Sequence, residues 1–257
     1  MKECVDSIMF IFSDVLNQVN NVFDENLMTI EEKNDKHAND MKTSFVSSGY
    51  KLLMTVGLLC SDNNHQLQSR IADKKGIQHI MSYSFNNIAL NNNNNTNTIQ
   101  HIENKKRLNQ WGLWALFNIL INHPANKSEF YHLGGVRIVI DILKNAADQQ
   151  QALTHKLKHT HNDITLNTHN INTHNNDKTT SNNIELNRQG LAVLLIMLTS
   201  DVTQAKYSVT QARQMAMANS IVDIIHNIQS DYKNMKQCED IVHTSKAILN
   251  LIIQDWS

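Results

Sequence analysis

Residues 111–143 read WGLWALFNILINHPANKSEFYHLGGVRIVIDIL, and this stretch decides the fold. Its opening part carries apolar residues on every helical face except that of Asn118, which is typical of a helix buried between neighbours. Pro124 fits the first turn of a second helix, where its missing N–H is not needed. Gly134-Gly135 ends that helix, because glycine enters left-handed conformations without a Cβ penalty. Apolar residues then recur every three or four positions over 136–143, which predicts a third helix.

The order of the landmarks in this stretch resembles the armadillo repeat. That repeat runs from an Ala-Leu-x-Asn-Leu helix through an Asn-Pro-x-Asn-Lys corner and a Gly-Gly-Val/Ile corner into a Leu-Leu helix. The matching landmarks occur here in the same order: Ala115, Leu116, Asn118, Pro124, Asn126-Lys127 and Gly134-Gly135. The resemblance implies an all-α fold, a right-handed α-solenoid of stacked three-helix repeats, because such repeats cannot bury their apolar faces alone.

The pattern recurs on both sides of this stretch. Upstream, Gly76-Ile77 stands where Gly135-Val136 stands, at an offset of 59 residues. Aligning Gly57 with Asn118 instead requires an offset of 61 residues. Downstream, Asn219-Ser220-Ile221 replaces Gly-Gly-Val, and asparagine is the next best residue for a left-handed corner.

These copies predict a single armadillo-like helical domain over 1–257, with about three repeats and a leading partial repeat. The predicted units are 4–61 (the partial repeat, opening with an amphipathic helix at 4–23), 62–122, 123–200 and 201–257. Two Asn-rich tracts, 86–106 and 146–187, have too little apolar surface to offset the entropy of ordering, so they are predicted to be disordered insertions. Both tracts lie between the helix that follows a Gly corner and the next buried helix, and the polar segment 24–43 is predicted to occupy the same place in the pattern. Insertions that recur at one place in each repeat lie on one edge of a solenoid.

Trp114 and Asn118 lie one helical turn apart and share a face. In armadillo proteins that resemble the nuclear import adaptors, such a pair lines the concave groove, and the asparagine amide pairs with the backbone of an extended peptide. The resemblance therefore implies a protein-binding groove lined by Gln110, Trp114, Asn118, Arg188, Lys246 and Asn250. The pair is not repeated at the positions aligned with it, which leaves a second interpretation in which Trp114 packs in the core and Asn118 binds a neighbouring backbone.

Composition excludes several other classes of function. The formal net charge is −1, from 23 basic and 24 acidic residues, so no bulk charge favours nucleic acid or an anionic membrane. No stretch approaches the ~20 apolar residues of a membrane span. Cys4, Cys60 and Cys238 are odd in number and far apart, which suits reduced thiols in the cytoplasm or nucleus. The histidines of the second tract, such as His155 and His159, lack the cysteine or acidic partners of a metal site.

No catalytic motif, cofactor-binding motif or metal-binding motif is present, so a non-enzymatic function is predicted. The first hypothesis is a scaffold that binds an extended or helical segment of a protein partner on its concave face. The alternative is a structural or regulatory subunit that self-associates, or completes a larger solenoid, through its end helices. Peptide binding like that of the nuclear import adaptors is a third option.

Overall fold

The computed structural model describes residues 6, 7, 10, 14, 36–85, 98–163, 173–199, 212–217 and 219–254. Within these ranges helices and short turns account for the chain, and no strand occurs, so the all-α prediction is confirmed. The chain divides into two compact units, Met1–Phe130 and Tyr131–Ser257. The grouping of both units into one armadillo-like domain stays a prediction.

The helices of the first unit follow the order of the sequence pattern. They are α1 (Lys36–Leu59), α2 (His65–Asp73), α3 (Gly76–Ser84), α4 (Thr98–Leu120) and α5 (Pro124–His132, which ends just past the unit boundary), with a 3₁₀ turn at Ser61–Asn63. Asn64 caps α2, because its side-chain oxygen accepts the backbone N–H of Leu67 at 3.3 Å. Pro124 is the first residue of α5, as its sequence position predicts.

The second unit is also built from helices. Its helices are α6 (Gly135–Asp163), α7 (Thr173–Leu198), α8 (Ile221–Tyr232) and α9 (Glu239–Gln254), with a helical turn at 212–217 and a 3₁₀ turn at Lys236–Cys238. Spaced apolar residues form the inner side of α8, where Ile221, Ile225 and Ile228 are almost fully buried.

Helices at equivalent places in the pattern pack on each other within each unit. In the first unit α1 packs along α4, and α3 also packs on α4. In the second unit α7 packs on α6 and α9, and α8 packs on the same two helices. The pairs α1/α4, α7/α9 and α6/α8 each join equivalent helices of neighbouring predicted repeats. The contacts that the predicted repeats would require between such helices are therefore present inside each unit.

Left-handed residues mark the corner before α3, α6 and α8. Lys75 has a φ of 57°, Gly134 a φ of 78° and Ser220 a φ of 54°. The prediction that Asn219 takes this conformation is wrong by one residue. The side-chain amide of Asn219 instead donates to the carbonyl of Met215 at 2.7 Å, which satisfies the end of the preceding helical turn and leaves the left-handed turn to Ser220.

The corner that follows α1 and the corner that follows α4 are built in the same way. Asn63 and Asn122 have φ values of 58° and 54°, and Nδ2 of Asn122 donates to Oδ1 of Asn63 at 3.0 Å across 59 residues. One position further on, Asn64 and His123 each accept the backbone N–H three residues later, both at 3.3 Å. These two corners are therefore 59 residues apart, which is the same separation as that between Gly76 and Gly135.

The same offset shows that the alignment of α1 at 61 residues is wrong. With 59 residues, Asn118 corresponds to Leu59 and not to Gly57. Burial agrees, because Gly57 is buried whereas Leu59 and Asn118 are both half-buried. In this register α1 ends two residues before α4 does, and the 3₁₀ turn at Ser61–Asn63 covers the difference. The offset of 61 residues matches the ends of α1 and α4, and it is therefore out of register by two residues.

Two glycines bring helices of the same repeat into close contact. A Cβ built at Gly112 of α4 would lie 2.3 Å from Oγ of Ser84 in α3, and a Cβ at Gly190 of α7 would lie 2.8 Å from Cδ2 of Leu143 in α6. Ser84 and Leu143 hold the same position after their respective corners. The same close contact therefore occurs in both units, and the sequence landmarks did not include it.

Helix extends further into the polar tracts than predicted. Residues 86–97 and 164–172 lie outside the described residues, but α4 begins at Thr98, α6 continues to Asp163 and α7 begins at Thr173. The predicted bounds 86–106 and 146–187 are therefore wrong at their flanks, and α1 likewise begins inside 24–43. Buried residues explain part of this extension: Ala146, Ala147, Ile184 and Leu186 give these flanks an apolar side.

The start of the chain is tied to α2 through one carboxylate. Asp6 accepts hydrogen bonds from Nε and Nη2 of Arg70 at 2.9 and 2.6 Å, and Nζ of Lys74 lies 3.7 Å away. Asp6 and three further residues of the amphipathic helix predicted at 4–23 are described, and Asp6, Ser7, Phe10 and Asp14 are helical. The remainder of that prediction lies outside the described residues.

Candidate protein-binding face

One face of α4 is partly open to solvent, and we call it the α4 face. Its half-buried members lie on one side of the helix, with the last of them in the turn just after it: Gln110, Trp111, Trp114, Phe117, Asn118 and Ile121. The other sides of α4 hold Leu113, Leu116 and Leu120, none of which is exposed. The expectation that α4 is covered on every side but that of Asn118 is therefore wrong. Trp111, Phe117 and Ile121 belong to the α4 face although the sequence did not predict them as binding residues.

The corresponding face of α7 is half-buried at the same positions. Its members are Arg188, Gln189, Ala192, Leu195, Ile196 and Thr199, which match the six residues of the α4 face one by one. The predicted equivalence of Gln110 and Arg188 thus agrees with their exposure. The two faces differ in chemistry, because the α4 face is aromatic and the α7 face is aliphatic with one cation.

The remaining predicted residues lie on α9. Lys246 and Asn250 are exposed, together with His243 and Ile253. These four positions form one side of the helix at spacings of three and four residues. The structure brings Gln110, Trp114 and Asn118 together in the first unit, and Arg188, Lys246 and Asn250 belong to the second unit.

Trp114 has a packing role as well as an accessible edge. A Cβ built at Gly57 would lie 2.3 Å from Cζ3 of the indole, so the absence of a side chain on α1 admits the ring. Trp111 meets the same indole edge-on, with ring centroids 5.6 Å apart and an interplanar angle of 86°. Both sequence interpretations of Trp114 therefore remain compatible with its position, since the ring packs on α1 and is still half-buried.

Asn118 is held by its own helix. Its Nδ2 donates to the carbonyl of Trp114 at 2.9 Å, which uses one of its two amide N–H bonds. The backbone carbonyl of Asn118 accepts from Nε2 of Gln68 in α2 at 2.7 Å. The side-chain oxygen and the second N–H are the groups that can pair with a peptide backbone.

Gln68 and Asn126 close the end of α4. Nε2 of Gln68 also donates to the carbonyl of Ile121 at 3.1 Å, and Nδ2 of Asn126 donates to the carbonyls of Ile119 and Gln68 at 3.0 and 3.2 Å. The last carbonyls of a helix have no partner within it, and these two buried amides supply donors. The Asn landmark after Pro124 therefore positions the α4 face, a role that the sequence pattern did not reveal.

Arg188 is occupied by neighbours on α7 and α9. Its guanidinium bonds Glu185 through Nη1, Asp240 through Nε and, at 3.3 Å, through Nη2, and the carbonyl of Gln237 at 3.2 Å. The hydrogen bond to Asp240 is the main cause that raises the pKa of Arg188, and Arg188 in turn lowers the pKa of the Asp240 carboxyl. Arg188 therefore clamps the start of α9 to α7, and a partner would have to compete with these acids.

We expect Arg188→Gln to lower the free energy of unfolding by about 1 kcal/mol, because the ion pairs are partly exposed and contribute modestly. The loss should shrink in 1 M NaCl, since salt screens exposed charges. Urea unfolding at low and high salt measures both effects, and Arg137→Gln, at an exposed position of α6, is the control. A loss that is equal at both salt concentrations would contradict the ion-pair role.

Cys60 and Cys238 are fully buried, and burial raises the pKa of the Cys60 thiol to about 12, so neither is a ready nucleophile. No group of three or more His, Cys, Asp and Glu side chains within the described ranges could hold a metal ion. None of the helices in those ranges is both long and apolar enough to cross a membrane.

Comparison with known proteins found no similarity: no family model, no curated protein and no solved structure matches the chain.

Proposed function

We propose that this chain is an armadillo-type α-solenoid that binds a protein partner and catalyses no reaction. The observation that carries the proposal is the half-buried face shared, position for position, by α4 and α7. A surface used only for packing has no reason to leave three large aromatic rings half open in α4, whereas aromatic residues are enriched in the centres of protein interfaces.

The packing inside each unit supports the solenoid part of the proposal. Equivalent helices lie against each other in both units, and the Gly112–Ser84 and Gly190–Leu143 contacts recur at the same place. Stacking of this kind is what repeat proteins require, because each repeat buries the flank of the next. The buried thiols of Cys60 and Cys238 suit a reducing compartment, so a cytoplasmic or nuclear location is part of the proposal.

The occupant of the α4 face is proposed to be an extended or helical peptide segment. Trp111, Trp114 and Phe117 offer flat apolar contact, and the free groups of Asn118 can bind one peptide unit whatever its side chain. Leu58, at 60% exposure, adds an exposed apolar residue on α1, the helix that packs along α4. These residues carry no dominant charge, so we expect the partner to be recognised through the shape and the peptide backbone of its bound segment.

The alternative, self-association through the last helix, finds less support. The exposed side of α9 is polar at Glu239, His243, Lys246 and Asn250, and Ile253 is its only large apolar residue with high exposure among the described positions. Such a side is a poor surface for burial against a second copy, because charged residues are depleted at the centres of interfaces. Ile253→Glu should therefore leave the oligomeric state in light scattering unchanged, and conversion of a dimer to a monomer would favour the alternative.

The test of partner binding compares Asn118→Ala and Leu58→Glu with wild type. Both variants should remain folded, because Asn118 bonds only its own helix through its side chain and Leu58 is largely exposed. Proteins enriched on the wild-type chain should be depleted about tenfold or more on each variant. Lys144→Glu on the exposed side of α6 is the matched control and should retain them. Identical partners on all four chains would refute binding at the α4 face.

A further inference from the structure

Two histidines meet where α2 and α5 begin. His65 is the first residue of α2, and His123 directly precedes Pro124, the first residue of α5. Their ring centroids are 6.1 Å apart. Positive charge is unfavourable at the start of a helix, because the backbone N–H groups there already carry partial positive charge. The His123 ring, which lies beside both helix starts, is therefore placed where a proton is disfavoured.

Each nitrogen of the His123 ring has a partner. Nδ1 accepts the backbone N–H of Asn126 at 3.3 Å, and Nε2 lies 2.9 Å from Oγ of Ser69 in α2. Since Nδ1 must keep its lone pair to accept, the neutral ring carries its proton on Nε2 and donates it to the Ser69 hydroxyl. The neutral imidazole thus caps α5 and joins it to α2 at the same time.

Protonation of His123 would break this arrangement. A second proton on Nδ1 turns the acceptor into a donor that faces the N–H of Asn126, so the cap of α5 is lost. The new charge would also lie at two helix starts and beside His65. The other charged groups on the adjoining elements are Asp62 of the 3₁₀ turn, Arg70 and Asp73 of α2, and Lys127 and Glu129 of α5.

The pKa of His123 is lowered, in agreement with a ring that is neutral in the folded corner. Burial lowers the pKa of His123 below its ordinary value of 6.5, and the neighbouring His65 lowers it further. Above 6.5 the ring is neutral in both the folded and the unfolded chain, so pH has no effect through this group. As the pH falls below 6.5 the unfolded chain takes up the proton first, and the folded corner loses stability until its own pKa is passed.

The same corner holds the end of α4. Asn126, whose N–H is capped by His123, donates through its side chain to Ile119 and Gln68, and Gln68 donates to Asn118 and Ile121. Loss of the cap therefore frees the first turn of the helix that carries Asn126. The effect would reach Asn118 on the α4 face through two hydrogen-bonded amides.

We propose that His65 and His123 form an acid-sensitive latch, in which the neutral His123 ring fastens α5 to α2 and its protonation releases the corner that positions the end of α4. The latch depends on the geometry of this corner alone and holds whatever partner the α4 face binds.

Hydrogen exchange of a peptide covering 118–130 tests the latch in the full chain. After correction for intrinsic rates, this peptide should open about fivefold more readily at pH 5.0 than at pH 7.5, which is the typical effect of losing a helix cap. A peptide covering 221–232 in the second unit is the internal reference and should show no such change.

Three variants separate the latch from a general effect of acid. His123→Asn should keep the cap, as Asn64 does for α2, and should remove the pH dependence. His65→Gln should shift the opening to higher pH, because it removes the charge that opposes protonation of His123. His226→Asn, at an exposed position of α8, should behave as wild type.

Opening of the His123→Asn corner in acid to the wild-type extent would overturn the proposal, and so would a shift to lower pH in His65→Gln. If His123→Asn does not fold, the NMR titration of the His123 ring in the wild-type chain decides the matter. A midpoint below 6.5 supports the latch, and a midpoint at or above 6.5 refutes it.

Discussion

Replacing Asn126 with aspartate is expected to destabilise the first unit by about 3 kcal/mol or more. Asn126 is 1% exposed, and its amide donates to the carbonyls of Ile119 and Gln68. An aspartate cannot donate when ionised, so the carbonyl of Ile119 loses its donor and that of Gln68 loses its second donor, and leaving a buried polar group unsatisfied costs about 1–3 kcal/mol. The buried carboxylate adds a further penalty, because it faces carbonyl oxygens instead of donors.

The measurement is urea unfolding followed by circular dichroism at pH 7.5. Asn145→Asp is the matched control, since it makes the same chemical change at an exposed position of α6 and should alter the free energy of unfolding by less than about 0.5 kcal/mol. Equal, small effects of both substitutions would mean that the Asn126 amide is not needed at the end of α4.

The fold class could be predicted from residues 111–143 because each landmark acts locally. Proline favours a helix start, glycine favours a left-handed corner, and the apolar spacing favours a buried helix whatever the rest of the chain does. The corner before α8 shows the limit of this reasoning. Asn219 and Ser220 can both adopt the left-handed conformation, and the choice depends on the bond between the Asn219 side chain and Met215.

The α4 face could be predicted only in part, because exposure depends on which side of a helix its neighbours cover. Trp114 and Asn118 were found through a motif, whereas Phe117 and Ile121 look like core residues in the sequence. Arg188 was predicted from its position, but its ion pairs with Glu185 and Asp240 require the start of α9 to lie beside α7. Such contacts between distant parts of the chain leave no local signal.

Alanine at position 57 is expected to destabilise the chain when Trp114 is present and to stabilise it when Trp114 is absent. In the wild-type chain the new Cβ would lie 2.3 Å from the indole, and overpacking of this kind costs about 1–3 kcal/mol. In a Trp114→Ala background the space is open, and alanine should gain up to about 1 kcal/mol over glycine inside α1 through its helix propensity. The change of sign gives a coupling energy of about 2–4 kcal/mol between the two positions.

A double-mutant cycle of wild type, Gly57→Ala, Trp114→Ala and the double variant, each unfolded in urea, measures this coupling. Tryptophan fluorescence of Gly57→Ala should also change, because the indole must move away from α1. Ser48→Ala, at an exposed position of the same helix, is the control and should show no coupling to Trp114. If Gly57→Ala has the same effect in both backgrounds, the indole does not rest on α1, and Trp114 is then free to serve the partner alone.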